Sequence, residues 1–439
     1  MTRFRKRTGT FLLAAVAASL ALSGCGGGGS TTTAEGRPEA EEGPVTIKFV
    51  WWGNETRTKL TQQVIDLFNE KYPDITVETE FSDFTSYFQK LSTMIAAGNA
   101  PDVIQMDEKY IAQYGLDGQL LDLESVELDL SDFEQSTIDP GRVEGTLYGA
   151  TFGVNVPVTL ANPAVFEKAG VAVPDDTTWT WDDYAAVATE IGSKGGTEYY
   201  GSHNLISIDG MSKIWIRESG KEQFTTDGIG FDASTITPWF QYWLDLQNAG
   251  GTPPATVTAD MPSNLNESPF GMGKAALTFQ WSNQLTAFEN ATGEDLQLLV
   301  PPTQTGDAKD ANMWLKSSMY LSASADTEHP DAVLKLMEFF LNDPEAGRIL
   351  GTERGIPANT EIRSAISDTM SSADQKVVAF MDRVESEGYL GSASVVPLPG
   401  GGQSESIQER SAFAVLLGQM TPEAGAEEFV DNLKSEMGV

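Results

Sequence analysis

At 439 residues, 40% of them apolar and 21% charged, the chain is long enough for two or three domains with full cores, and its composition excludes a disordered or multispanning membrane protein. Lys and Arg number 28 against 63 Asp and Glu, a formal charge of −35. A field of that sign repels a phosphate backbone, so nucleic acid is not a partner.

Arg3, Arg5, Lys6 and Arg7 precede the uncharged run Phe11 to Leu22, which leads into Leu22-Ser23-Gly24-Cys25. This is the layout of an export signal, and 12 residues fall short of the ~20 that span a bilayer as a helix. Leu-Ser-Gly-Cys resembles a bacterial lipobox. Residues 1–24 therefore read as a lipoprotein signal peptide, and Cys25, the sole cysteine, as the lipidated mature N-terminus. Residues 25–44 are Gly/Ser/Thr-rich, then acidic with proline; such a stretch buries no core and reads as a flexible tether. The signal carries only basic charges, so the exported part is more acidic still. With no cysteine beyond the anchor, the folded body has neither disulfide nor thiolate metal site.

From Val45 the pattern is that of a folded body. Val45, Ile47, Phe49 and Trp51 alternate with their neighbours as a strand ended by Gly53. Leu60, Val64, Leu67, Phe68 and Tyr72 recur at helical spacing before Pro73. Ile75, Val77 and Phe81 alternate again; Phe84, Phe88, Leu91 and Ile95 form a second helical stripe; Val103 and Ile104 open another strand. Strand, helix, strand, helix, strand favours an α/β sheet with helices on its faces. Helices dominate later: one from Trp181 with Thr180 and Asp183 as a capping box, a stripe of Trp239, Trp243 and Leu246, another of Val333 to Leu341, and a start at Pro344 capped by Asp343.

Catalytic and metal signatures are missing. His203 and His329 are far apart and outside any ligand cluster, Gly24 to Gly29 matches a dinucleotide pattern only inside the tether, and no nucleophile elbow, phosphate loop or calcium loop occurs. The reading is not an enzyme: no catalytic residue, no metal and no cofactor are assigned.

Binding is the remaining class. Trp51 and Trp52 face opposite sides of one strand, so one enters core while the other emerges where open α/β sheets place ligands. Asn54 and Glu55 follow in the same loop. A flat ring beside amide and carboxylate groups suits a sugar, whose C–H face stacks while its hydroxyls need donors and acceptors. Trp281 with Ser282 and Asn283, Asp107 after Met106, and Asn155 after Val154 repeat this end-of-strand placement. Trp179, Trp181, Trp239 and Trp243 read as packing residues, and Trp215 and Trp314 stay unassigned.

These stretches together resemble the extracellular solute-binding lipoproteins of bacterial ABC transporters, in the carbohydrate-binding, maltose-binding-protein-like group. The likeness rests on Val45 to Trp52, Lys90 to Ile104, Gly145 to Leu160, Phe166 to Val171, Thr180 to Asp183, Gly273 to Thr278, Phe339 to Ala346, Gly355 to Ala358 and the last helix from Pro422. It implies a two-lobed periplasmic-binding-protein-like α/β fold, each lobe a mainly parallel sheet flanked by helices, with the ligand cleft between them. Lobe one would hold 45–153 and 280–321, lobe two 154–279 and 322–439, with hinge strands near Ala150 to Asn155, Thr278 to Phe279 and Tyr320 to Ala323. The same likeness adds Asp83, Asp209, Arg354, Gly401 and Ser404 to the cleft. Gly400-Gly401-Gly402 stands where the maltose-binding protein carries an aromatic platform, a departure from a maltodextrin pattern.

The function so implied is a monomeric, lipid-anchored receptor on the outer face of the cytoplasmic membrane, at the cell surface or in the periplasm. It would close on a sugar or oligosaccharide and deliver it to the membrane subunits of an ABC import permease. Two alternatives stay open: a cation or polyamine receptor of the same fold, suggested by the acidity, and a lipid-anchored glycosidase using paired carboxylates.

Overall fold

The computed structural model describes residues 43–259 and 267–439, so the signal segment, Cys25 and the tether up to residue 42 lie outside the described residues. Ten strands build two sheets. The first contains β1 (Val45–Trp52), β2 (Ile75–Ser82), β3 (Val103–Met106), β4 (Ala150–Asn155), β9 (Lys316–Ala323) and β10 (Ile356–Pro357), ordered β10-β4-β9-β3-β1-β2. The second contains β5 (Pro157–Ala161), β6 (Tyr200–Ser202), β7 (Ala275–Trp281) and β8 (Gln297–Leu299), ordered β8-β5-β7-β6.

The opening segment follows its sequence pattern. β1 pairs in parallel with β2, Val45 opposite Ile75 through Trp52 opposite Ser82, and with β3 on its other side. Its alternation splits two apolar layers: Ile47, Phe49 and Trp51 enter the large core, while Val50 and Trp52 enter a smaller one with Tyr87, Phe88 and Leu91. The helix Glu55–Lys71 is capped by Asn54, whose side chain accepts the Arg57 N–H, and the helix Phe84–Ala96 is capped by Asp83 through the Ser86 N–H.

The sheets are mixed, not mainly parallel. β9 is antiparallel to β3 and β4, β10 to β4, and β5 to both β7 and β8; in the second sheet only β7 and β6 run parallel. Strands arriving from the other lobe enter against the direction set by the strand–helix–strand units, because no covering helix returns them to the same edge.

The lobe boundaries also differ from expectation. At Val156 the chain passes from β4 into β5, held by Val156 N–H donating to Ser282 Oγ (3.1 Å) and Ser282 N–H donating to the Val156 carbonyl (2.9 Å). It stays with the second sheet through β8 and returns as β9, so most of 280–315 belongs with lobe two. Beyond residue 321 it remains with lobe one: β10 pairs with β4, Phe340 of the helix Pro330–Asn342 sits 5.4 Å edge-on to Phe49, and Lys71 pairs with Asp343 (2.9 Å) and Glu345 (2.7 Å). The apolar stripe of that helix is the cover that the Phe49 face of β1 requires, which overrides chain proximity. The helix Ser372–Ser386 then ties to lobe two, Lys376 pairing with Glu289 (2.6 Å) and Arg383 with Asp176. Thr278-Phe279 and Tyr320 to Ala323 are interior to β7 and β9, not crossings; the crossings lie at Val156, near 312–316, and between β10 and the helix Ser372–Ser386. No helix among the described residues is long and apolar enough to span a membrane.

Candidate functional site

Both lobes contribute walls to a cavity of about 250 Å³. β3 ends at Met106, and Asp107 caps the helix Glu108–Leu116 by accepting the Lys109 N–H at 3.0 Å. From lobe two, the helix Asp209–Glu218 and the helix Ser404–Leu416 begin at the same cavity, the latter behind the turn Gly401–Gln403. Three helix N-termini therefore converge there, an arrangement that favours ligand oxygens. Glu108, Asp209 and Glu405 each lie in the first turn of their helix, where a carboxylate also steadies the helix itself.

The aromatic wall comes from β7 and the approach to β9. Trp281 is half-buried, with Phe279 6.0 Å and Trp314 5.8 Å away, both edge-on. Gly210 makes room for it: a Cβ there would lie 3.0 Å from Phe279 and 3.2 Å from Trp281. Lys316 Nζ stands 5.5 Å over the Trp281 ring; Lys213 Nζ and the Arg217 guanidinium stand 4.7 and 5.3 Å over Trp314.

Charges in the cavity are interleaved. Lys316 pairs with Glu108 at 3.5 Å, and Lys109 pairs with Glu405 at 3.3 Å across the two lobes. Lys213 donates to Ser394 Oγ and sits one helical turn from Asp209. Burial works against ionisation of Glu108, but the ammonium groups of Lys316, Lys213 and Lys109 outweigh it and hold the carboxyl below its ordinary range. Asp209 goes the other way: burial, reinforced by Glu405, pushes it up to about 6, although Lys109 and Lys213 oppose the shift. Burial pulls Lys213 down, while Lys316 is raised because Glu108 and Asp107 outweigh its burial.

Of the residues singled out from sequence, Asp107, Asp209, Trp281 and Gly401 line this cavity. The others do not. Trp52, only 8% exposed, packs edge-on against Phe84 (5.4 Å) and Tyr87 (5.3 Å), because the helix Phe84–Ala96 covers its face of β1; Phe84 is the ring that reaches the cavity. Asn54 and Asp83 are spent as helix caps, and Glu55 is exposed in the first turn behind Asn54. Asn155 is buried at the end of β4 with its Oδ1 unpartnered, and Asn283 is exposed in the turn beyond Trp281. Ser404 is buried and accepts a 2.9 Å bond from Gln223, which does line the cavity.

Arg354 is the clearest correction. It is 2% exposed, donates to Thr61 Oγ1 (2.6 Å) and Gln105 Oε1 (3.3 Å), and lies 5.2 Å over Phe152. Beside it Glu353 pairs with Arg57 at 2.8 Å. It is a buried tie inside lobe one, with burial and the neighbouring Arg57 pulling its pKa down. The residues missed were chiefly Lys109, Lys213, Lys316 and Trp314. For Lys109 and Lys213 the available signal was their place beside or one turn after an acidic helix start, in a chain where basic residues are scarce; Lys316, which opens β9, and Trp314 carried no such signal.

Residues 63–376 match the family model described as bacterial extracellular solute-binding protein. The maltodextrin-binding protein of Bacillus subtilis is 22% identical over 384 residues, 85% of this chain and 85% of that protein. A maltooligosaccharide ABC transporter solute-binding lipoprotein of Streptococcus pneumoniae is 23% identical over 361 residues, 80% of each. Among solved structures, an extracellular solute-binding protein of family 1 from Alicyclobacillus acidocaldarius is 27% identical with a TM-score of 0.72, over 91% of this chain and all of that one.

Proposed function

The chain belongs to the bacterial extracellular solute-binding proteins, and from that premise we propose that it is the lipid-anchored receptor of an ABC importer for a sugar or oligosaccharide. The observation that carries this reading is one cavity walled by both lobes, in which the half-buried Trp281 stands among paired acids and lysines. A pyranose presents a C–H face to the indole and hydroxyls to Asp209, Lys213 and Lys316, which alternate as acceptor and donors. Contacts made by both lobes at once exist only in the closed form, so ligand draws an open–closed equilibrium toward closure. The closed form then docks on the permease, and no bond is made or broken on this chain. The names of the maltodextrin- and maltooligosaccharide-binding relatives support the substrate class.

Three lysines in the cavity argue against the polyamine alternative: its carboxylates already face cations, so a ligand ammonium would meet repulsion. The glycosidase alternative keeps one supporting observation, Asp209 raised while Glu108 is lowered in the same cavity. New reducing ends from incubated oligosaccharides would favour it over binding alone. The deciding experiment is a melting-temperature screen over mono- to tetrasaccharides, because a ligand bound only by the native state raises the midpoint by mass action. A sugar hit with no turnover is expected; a response confined to polyamines would overturn the reading.

A further inference from the structure

The helix Asp209–Glu218 brings more to the cleft than its first turn. Asp209, Lys213 and Arg217 recur every four residues and so share one face of it. The first two line the cavity; Arg217, a further turn along, is buried and is not among the lining residues. Its contacts lead instead to the route by which the chain passes between lobes. The guanidinium lies 5.3 Å over the Trp314 ring, and Nη2 donates to the carbonyl (2.5 Å) and the Oγ (2.7 Å) of Ser392. Glu222 accepts from Nε at 3.1 Å and anchors the side chain.

Trp314 stands in the crossing segment 312–316, just before Lys316 opens β9. That segment leans on 389–391: Met313 N–H donates to the Tyr389 carbonyl (3.0 Å), and Gly391 N–H donates to the Met313 carbonyl (2.7 Å). Arg217 therefore holds both sides of this pairing, Trp314 through its ring face and Ser392 through hydrogen bonds. Lys213 repeats the pattern one turn nearer the ligand, 4.7 Å over Trp314 and donating to Ser394. Although nearly sealed from solvent, Trp314 lines the cavity and meets Trp281 edge-on at 5.8 Å. A shift of the crossing would move the aromatic wall and Lys316 together. Arg217 Nη1 is buried with no hydrogen-bond partner, a cost to stability that marks a group placed for more than folding.

Resting on the carbohydrate reading, we infer that Arg217 is a positioning residue for ligand capture: from outside the cavity it clamps the 312–316 crossing onto lobe two, and so sets Trp314, Trp281 and Lys316 before the ligand arrives. The swing of the lobes is then confined to the chain beyond Trp314. Loss of the clamp gives the crossing a freedom that closure must remove. Affinity falls for every ligand alike, because no ligand touches Arg217.

Arg217→Met keeps the apolar stem and removes the charge and the donors. In the ligand-free protein, hydrogen exchange read by mass spectrometry should speed up at least about tenfold over 312–316 and 389–391, with the rest of lobe two unchanged. Calorimetry with the sugars found by the melting screen should show about a tenfold loss for each, their ranking preserved. Arg217→Lys, which returns a cation over Trp314, should recover most of that loss. Where Arg217→Met fails to fold, Ser392→Ala carries the same test: the position is exposed and outside the cavity lining, and about a threefold loss is expected at an unchanged melting temperature. A lowered melting temperature with parent-like affinity would make Arg217 a structural tie and overturn the inference. Parent-like exchange, or a loss that reorders the sugars, would do the same and leave the carbohydrate reading standing. A panel without a single binder overturns the carbohydrate reading alone, and the exchange result then still decides the clamp.

Discussion

Gly402 meets the start of the helix Glu108–Leu116 so closely that a Cβ built on it would lie 3.0 Å from both Cβ and carbonyl oxygen of Lys109, against the ~3.5–4.0 Å of an ordinary carbon contact. Its backbone is outside the left-handed region, so alanine there adds bulk without torsional strain. Because the two residues belong to opposite lobes, the crowding exists only while the cleft is closed. One methyl forced into a packed contact costs about 1–3 kcal/mol, and here opening the lobes relieves it. At about 2 kcal/mol against closure, Gly402→Ala should weaken ligand binding about 30-fold. Calorimetry with the sugar found by the melting screen reads that loss. Small-angle scattering of the ligand-free variant should show a larger radius of gyration than the parent, and the unfolding free energy should stay within about 0.5 kcal/mol. Parent-like affinity and radius would refute the reasoning, as would a loss of stability in place of a loss of closure.

Three further predictions concern other parts of the chain. Arg354→Ala should lower the unfolding free energy by about 3 kcal/mol in denaturant titration, because it strips a buried cation from Thr61 and Gln105, yet leave sugar affinity unchanged; a loss of affinity at unaltered stability would return Arg354 to the ligand. Burial pushes Glu218 up to about 8, against hydrogen bonds from the Trp181 indole and the Gln304 N–H. Below its unfolded value near 4 the group is protonated in both states; as pH rises to 8 the unfolded chain ionises first, so stability falls, by up to about 3.5 kcal/mol from pH 5 to 8, and levels off above. Glu218→Gln should remove that slope from the pH profile of the melting free energy, and parallel profiles would refute the assignment. Cys25→Ser should shift the exported protein from the membrane to the soluble fraction, whereas retention on the membrane would refute the lipid anchor.

Local signals carried the opening of the fold. The Val45-to-Trp52 alternation, the stops at Gly53 and Pro73, and the Thr180 and Asp183 capping box each depend on residues within a few positions, and each is found as read. The lobe boundaries failed because they depend on pairing between distant segments. Nothing in Val333 to Leu341 says whether that apolar stripe covers Phe49 or the second sheet, since both offer an apolar face. Site residues divide in the same way. Trp281 closes β7 and Asp107 directly follows β3; both line the cavity, so they were legible from their own segments. Trp52 was not, because burial of its face is decided by the helix Phe84–Ala96, some 30 residues on.

The lysines were hidden by a different effect. A formal charge of −35 describes the whole surface, and from it a cation or polyamine ligand is the natural rival to sugar. Binding, however, is governed by charge within the few ångströms over which a desolvated pair acts, where Lys109, Lys213 and Lys316 stand against Asp107, Glu108, Asp209 and Glu405. A cavity nearly balanced in sign, inside a strongly acidic molecule, repels neither anion nor cation at long range as much as it rewards a neutral ligand able to insert hydroxyls between fixed donors and acceptors. The surface acidity and the ligand chemistry are therefore separate properties of this chain: the first should change with salt, and the affinity for a neutral sugar should scarcely change between low and physiological ionic strength. A steep salt dependence of sugar binding would show that the outer field, and not the interleaved pairs of the cleft, governs recognition.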